Sequence, residues 1–256
     1  MKLGDAKYLN LWREMTRAQF KLRDQSSFFG FLWSFLNPLI TVSLLFALFS
    51  SQLSSEIQYY ALYMLIGIVY YTHFSNATAA SISVLHSMSA LTRNEVFPKD
   101  ILVIASISTH TVDLILSTLI CVLIAFSYGV PLTFAVLALP MVVILQIMLV
   151  LWVSLLLSSF FVFVRDLVHI YNVFLRLLFF ITPIFFALSF VSHGLGHYVL
   201  LANPLSHTII FARDLLIKGQ LFDLKDFSIF FTINGGMLYV SYKIFKRLEP
   251  TFAENI

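Results

Sequence analysis

The chain has 256 residues, 59% of them hydrophobic and only 11% charged, with a mean hydropathy of +0.90. An ordinary soluble domain carries about 25% charge, so this is the composition of a membrane protein. The formal charge of +3 is too small to imply a nucleic-acid partner, and a single cysteine builds neither an intrachain disulfide framework nor a thiolate metal site.

Charges run from Lys2 to Asp24 before any apolar span begins, unlike a cleaved secretory signal, so the amino terminus is expected to be retained. Within it, residues 7 to 24 place Tyr8, Leu11, Trp12, Met15 and Leu22 near one helical face, with Lys7, Arg13, Glu14, Arg17 and Lys21 largely opposite. That pattern predicts an amphipathic helix lying in the membrane interface; a connector helix packed on soluble protein is the alternative.

A helix crossing the hydrocarbon core needs roughly 20 apolar residues, and six windows fit. They run from about Phe28 to Phe49, Tyr59 to Ala80, Ile101 to Phe126, Phe134 to Val164, Leu167 to Phe190 and Phe227 to Phe245. "SYGVP" at 127–131 reads as a turn. Lys and Arg collect before the first span, after the second (Arg93, Lys99), after the fourth (Arg165) and at the chain's end (Lys243, Lys246, Arg247). By the positive-inside rule both termini are expected in the cytoplasm. The expectation is therefore an all-α membrane protein, one transmembrane domain over residues 1–256.

Two stretches break the apolar rhythm. "LTRNEVFPKDIL" at 91–102 is a short polar island, in which Pro98 ends helix regularity because it lacks an amide donor. Residues 191–226 are too apolar for a solvated loop, yet Gly194, Gly196 and Asn203-Pro204 cut them into pieces too short to cross. Those pieces read as short re-entrant helices in the outer leaflet. Thr182-Pro183 is expected to break the fifth span by removing a backbone hydrogen bond.

Several chemistries lack their residues. No Gly-rich loop ends in Lys and Ser or Thr, so any ATP that drives this protein must be bound, with Mg, by another polypeptide. His193 and His197 have a metal-compatible spacing, but the glycines between them disfavour a helix and no third ligand is evident. Glu56 and Glu95 lack a carboxylate partner and the serines lack a base, so hydrolytic catalysis has no support and no catalytic residue or metal ligand is assigned. Ionisable residues inside a membrane are functional suspects by default, and there are two, Asp113 and Arg176. At 1.5 Å per residue they lie about 20 and 14 Å from the cytoplasmic ends of their spans, so an ion pair between them is expected, with Arg176 facing cargo alone as the alternative.

The segments "LRDQSSFFGFLWSFLNPL" (22–39), "LTRNEVFPKDIL", "FVRDLVHI" (163–170), "ITPIFF" (181–186) and "NPLSHTIIFARDLL" (203–216) occur in this order. Together they make the chain resemble the permease subunit of type-2 ABC exporters for polysaccharide and polyol phosphate, most like those for O-antigen. The resemblance covers nearly the whole chain. It implies a homodimer of six-helix subunits in the bacterial inner membrane, two separate ATP-binding subunits beneath it, and a glycan carried on undecaprenyl pyrophosphate. It makes the island a coupling helix, with Arg93, Asn94, Glu95, Phe97, Pro98, Lys99 and Asp100 contacting the ATPase; a plain solvated loop would be equally charged. It makes Arg165 and Asp166 a cytoplasmic gate, against simple topology-setting charge and helix capping. Asn203, Pro204, His207 and Arg213 would form an outer gate.

A moving sugar polymer suits a path of aromatic rings, which stack on sugars with little directional demand. Tyr59, Tyr60, Tyr63, Tyr70 and Tyr71 are the candidates to line it, although most rings in such a chain are packing or lipid-facing. Teichoic acid and capsule permeases share the same skeleton. The reading from another class is a membrane enzyme acting on lipid-linked sugars, with Asp113, Arg176 and His110 as its cluster. Partner dependence separates the two, since a permease alone turns nothing over.

Overall fold

The computed structural model describes residues 6–24, 32–54, 57–94, 97–131, 133–186 and 202–255, without the side chains of Asp24, Gln52, Leu53, Arg93 and Asn94. Among these residues the secondary structure is entirely helical. Helix α1 (Ala6–Asp24) buries or half-buries Tyr8, Leu11, Trp12, Met15, Thr16, Gln19, Phe20 and Arg23, one face at three- and four-residue spacing. Leu22, expected on that face, is instead 64% exposed. After α2 (Trp33–Leu53) and α3 (Tyr60–Ile82) come two short helices, α4 (Val84–Ser87) and α5 (Ser89–Asn94), which end at the island. Helix α6 (Asp100–Ser127) then runs the length of the bundle.

Helix α6 stops in a glycine cap. Gly129 adopts φ 71°, Gly129 N–H bonds the Phe126 carbonyl and Val130 N–H bonds that of Ala125, which satisfies carbonyls the helix end leaves open. A 3-10 turn (Phe134–Ala138) leads into α7 (Leu139–Phe161), followed by α8 (Leu167–Ile181). The fifth window is interrupted where expected: regular helix ends at Ile181, with Thr182 extended at ψ 136°, and the window's last residues, 187–190, lie outside the described residues. The cause of the break is the foreseen one, since Pro183 offers no amide to the helix. Helix α9 (Pro204–Leu216) is 13 residues, about 20 Å, too short to cross. Helix α10 (Leu224–Leu248), a turn at Glu249–Thr251 and α11 (Phe252–Asn255) close the chain.

Among the described residues, three helical stretches are both long and apolar enough to cross a membrane: Trp33–Ser51, Asp100–Ser127 and Phe134–Phe161. Helices α3 and α10 have the length, 23 and 25 residues, but dilute it with polar groups such as His73, Asn76 and Asn234. Helix α3 is the hub and packs on α2, α6, α7, α8 and α9, while α10 packs on α7 and α1 lies along α6. The outer faces are apolar: Ile40, Leu44 and Leu48 on α2, Leu119 and Leu123 on α6, and Ile170, Val173, Leu177 and Phe180 on α8 are all exposed. A belt of this kind fits lipid and not water.

Candidate functional site

At one end of the bundle, the island, the amino-terminal helix and the end of the chain meet on one carboxylate. Asp100, at the first position of α6, is 0% exposed. Its Oδ2 accepts from the Tyr8 hydroxyl at 3.0 Å and its Oδ1 from Lys246 Nζ at 2.7 Å. Lys246 also reaches Glu249 Oε2 at 2.9 Å, and the other oxygen of Glu249 accepts from the backbone N–H of Lys99. Lys99 Nζ lies 4.3 Å from the centre of the Phe97 ring. Phe245 and Phe252, both 0% exposed, pack edge to face beneath the cluster.

A charge this deep is tolerable only when fully paired, because desolvation otherwise exceeds the Coulombic return. Asp100 has its cation, a hydroxyl donor and the favourable field of a helix amino terminus. Burial, then the neighbouring Asp100 charge, raises the Tyr8 phenol well above its ordinary value, so it stays a donor. The consequence is mechanical: α1, the island and the tail of α10 are tied into one body.

Within the single chain Lys99, 8% exposed, and Asp100, 0% exposed, are engaged in the island's own contacts. Phe97 and Pro98 are half-buried, while Glu95 and the side chains of Arg93 and Asn94 lie outside the described residues.

The other suspected charge is also paired differently. Asp113 does not meet Arg176; it accepts from Arg23 Nη1 and Nη2, at 2.8 and 3.2 Å, and His110 Nδ1 stands 3.8 Å away. Arg176 is exposed on α8. The physical reason is that α1 folds back along the first half of α6 and delivers Arg23 to the level of Asp113. The pair forms one wall of a polar cavity of about 220 Å³ between α1, α2, α3 and α6. Trp33, Asn76 and His73 line other parts of it. His73 and Asp113 come together there although 40 positions apart, a juxtaposition no local motif announces.

Deeper in the bundle, Gln146 is 0% exposed. Its amide nitrogen donates to the Tyr70 carbonyl at 3.0 Å and stands 3.4 Å from His73 Nδ1, while its oxygen accepts from Thr208 at 2.8 Å. Sequence reasoning missed this link, although a lone amide inside the apolar window 134–164 was the available signal.

The break after α8 is held by Arg213. Its guanidinium donates to the carbonyls of Pro183 at 2.6 Å, Ile184 at 2.8 Å and Tyr63 at 2.9 Å, and stacks 3.3 Å from the Tyr63 ring centre. These include carbonyls that the broken helix cannot satisfy. Asn203 caps α9 through Leu205 N–H and donates to Thr182 Oγ1 at 3.0 Å. His207 stacks on Phe230 at 3.6 Å, and Pro204 opens α9. Within the single chain Asn203 and Arg213 tie across the α8–α9 junction, while His207 packs α9 on α10 and Pro204 starts α9.

The tyrosines follow the same pattern. Tyr60 and Tyr63 donate to the Phe185 and Phe186 carbonyls, and Tyr71 to that of Leu175. Tyr70 is 1% exposed, and Tyr59 sits edge-on to Tyr128. Buried against neighbouring helices, Tyr60, Tyr70 and Tyr71 do not line an open bore in the single chain. Arg165 and Asp166 remain exposed where α7 gives way to α8, and Asp166 makes no side-chain cap. Among the described residues no group of three or more His, Cys, Asp or Glu is placed to hold a metal; His193 and His197 lie outside them.

A helical bundle with lipid-fitting faces, a buried charge cluster at one end and buried polar links inside defines an integral membrane protein built to stay rigid locally. The ABC-2 type transporter family matches residues 10–217, and the chain belongs to that family. It is 26% identical over 250 residues to the O-antigen export system permease protein RfbA of Myxococcus xanthus, covering 97% of this chain and 96% of that protein. It is 25% identical over 241 residues to the protein of the same name from Klebsiella pneumoniae, covering 94% and 92%. Both relatives are named as permeases, not enzymes.

Proposed function

We propose that this chain is the membrane-spanning subunit of an ATP-driven exporter that carries a lipid-linked polysaccharide, of the O-antigen kind, across the bacterial inner membrane. Two copies form the conduit and two ATP-binding subunits dock beneath it, each holding its own ATP and Mg. Six crossings arise from α2, α3, α6, α7, the α8 region and α10, with both termini in the cytoplasm. Helix α1 starts at the inner surface and runs along the inner half of α6, α9 dips into the outer leaflet, and the cargo is a glycan on undecaprenyl pyrophosphate.

The observation that carries this reading is the Asp100 cluster. A partner that pushes on Phe97, Pro98 and the Arg93–Glu95 segment moves a body that already includes α1, the foot of α6 and the end of α10. Force from below would then reach the bundle without a flexible joint, and Arg165 and Asp166, exposed on the α7–α8 connection, stand ready as a second contact or gate. Conservation of near full length with two O-antigen export permeases supports the cargo class.

The test is reconstitution in lipid vesicles with an ATP-binding subunit of an O-antigen exporter. The reading expects no ATP hydrolysis by the chain alone, hydrolysis with the partner, and ATP-dependent movement of lipid-linked glycan. Turnover of lipid-linked sugar by the chain without a partner would instead identify an enzyme.

A further inference from the structure

The cavity walled by Arg23 and Asp113 has a chemistry more specific than a general polar gap. Its floor is His73, 5% exposed, whose Nε2 has no hydrogen-bond partner. The tautomer follows from the neighbours. A carbonyl only accepts, so the bond from Gln146 to the Tyr70 carbonyl orients that amide, and its NH2 group faces His73 Nδ1. Nδ1 must then accept, and the ring proton sits on Nε2. His73 lines the cavity, yet its Nε2–H is sealed from that space as the ring stands, so the ligand is chosen by the groups that do face it.

The rest of the lining selects among ligands. Arg23 and Asp113 neutralise one another at 2.8 Å, so an entering phosphate would meet Asp113's charge as well as Arg23's and gain little. Asn37, Asn76, Ser34 and Ser117 each offer both donors and acceptors, as hydroxyl groups do. Trp33, 49% exposed, gives a flat ring at the mouth. A cavity of about 220 Å³ is many times what one water needs and leaves room for a small polar group such as a sugar ring.

We infer that this cavity binds a single neutral sugar ring of the cargo, held by the Arg23–Asp113 pair and the two asparagines, with Trp33 stacked at the entrance. The inference rests on the export reading and adds to it a seat for one sugar on the inner side of the bundle.

The test uses the full chain in membranes of cells that either make or do not make the lipid-linked glycan. Ser34→Cys and Ser117→Cys are modified with a small methanethiosulfonate reagent; native Cys121, 2% exposed, gives a background corrected with Cys121→Ala. A site filled nine times in ten slows modification about tenfold, and this slowing is expected only when glycan is made. In glycan-free membranes, methyl glycosides of the polymer's sugars should protect and sodium pyrophosphate should not. Protection by pyrophosphate alone overturns the neutral-sugar assignment. Equal rates with and without glycan, in cells whose surface polymer shows export, overturn the site while leaving the export reading intact. Loss of no surface polymer when the chain is deleted removes both.

Discussion

Replacing Gly67 by alanine sets two physical effects against each other. In a helix interior alanine is favoured over glycine by about 1 kcal/mol, so propensity alone makes Gly67→Ala stabilising. The structure gives the opposite sign. A Cβ at Gly67 would stand 2.7 Å from Arg213 Nη2 and 3.1 Å from the Ile184 backbone. An arginine tip can usually swing away, but Nη2 donates to both Tyr63 and Ile184 carbonyls and the group is stacked on the Tyr63 ring. Losing one or two charge-assisted hydrogen bonds costs about 1.5–3 kcal/mol each, and the freed carbonyls are buried. The net expectation is a loss of about 1–4 kcal/mol, read as a Tm several degrees lower for the purified chain in detergent. Gly236→Ala on α10, where nothing lies within 4 Å of the new Cβ, is the control and should be neutral or stabilising. If Gly67→Ala is as stable as Gly236→Ala, the clamp does not hold the α8–α9 junction.

Other expectations test the remaining contacts. Lys246→Met strands the buried Asp100 charge and should cost about 3–5 kcal/mol, whereas the double variant Asp100→Leu with Lys246→Met should recover much of it, both read by thermal melting. Arg23→Asp or Asp113→Arg alone should weaken α1 docking, measured as faster proteolysis of α1, and the double swap should restore protection; no rescue would sink the pair. Because Tyr8's value is raised from 10.0, its proton stabilises docking fully below about pH 10, and that support is lost as pH climbs further. Trp12 fluorescence should therefore be flat between about pH 6 and 9 and change only above pH 10, and Tyr8→Phe should remove that alkaline change.

The helices were legible in the sequence wherever one simple rule governed. Charge-free runs gave α2, α3, α6, α7 and α10 within a few residues, and proline placed the stop after Ile181 and the start of α9 at Pro204. Partners were not legible, because they depend on how α1 folds back. Asp113 and Arg176 were the charges set deep inside spans, away from their ends, so pairing them was the local solution; Arg23 arrives from outside the spans and takes Asp113. The island's acidic and basic residues looked like solvent or partner contacts, yet Lys246 and Glu249 come from almost 150 positions away to bury Asp100. The tyrosines of α3 were read for their rings, but their hydroxyls serve as caps for carbonyls near the α8 break, including those of Phe185 and Phe186. Arg213 was placed at a gate by resemblance, and its close approach to Gly67 is visible only in three dimensions.

The central claim is that the Asp100 cluster makes the island, α1 and the tail of α10 one lever. The most direct measurement is the ratio of glycan moved to ATP hydrolysed in vesicles holding the chain with its ATP-binding partner. Comparison is between the parent and Tyr8→Phe, which removes only the hydroxyl that ties α1 to Asp100. Hydrolysis should continue in the variant while glycan movement per ATP falls. An unchanged ratio, with α1 shown by proteolysis to be loosened, would contradict that claim.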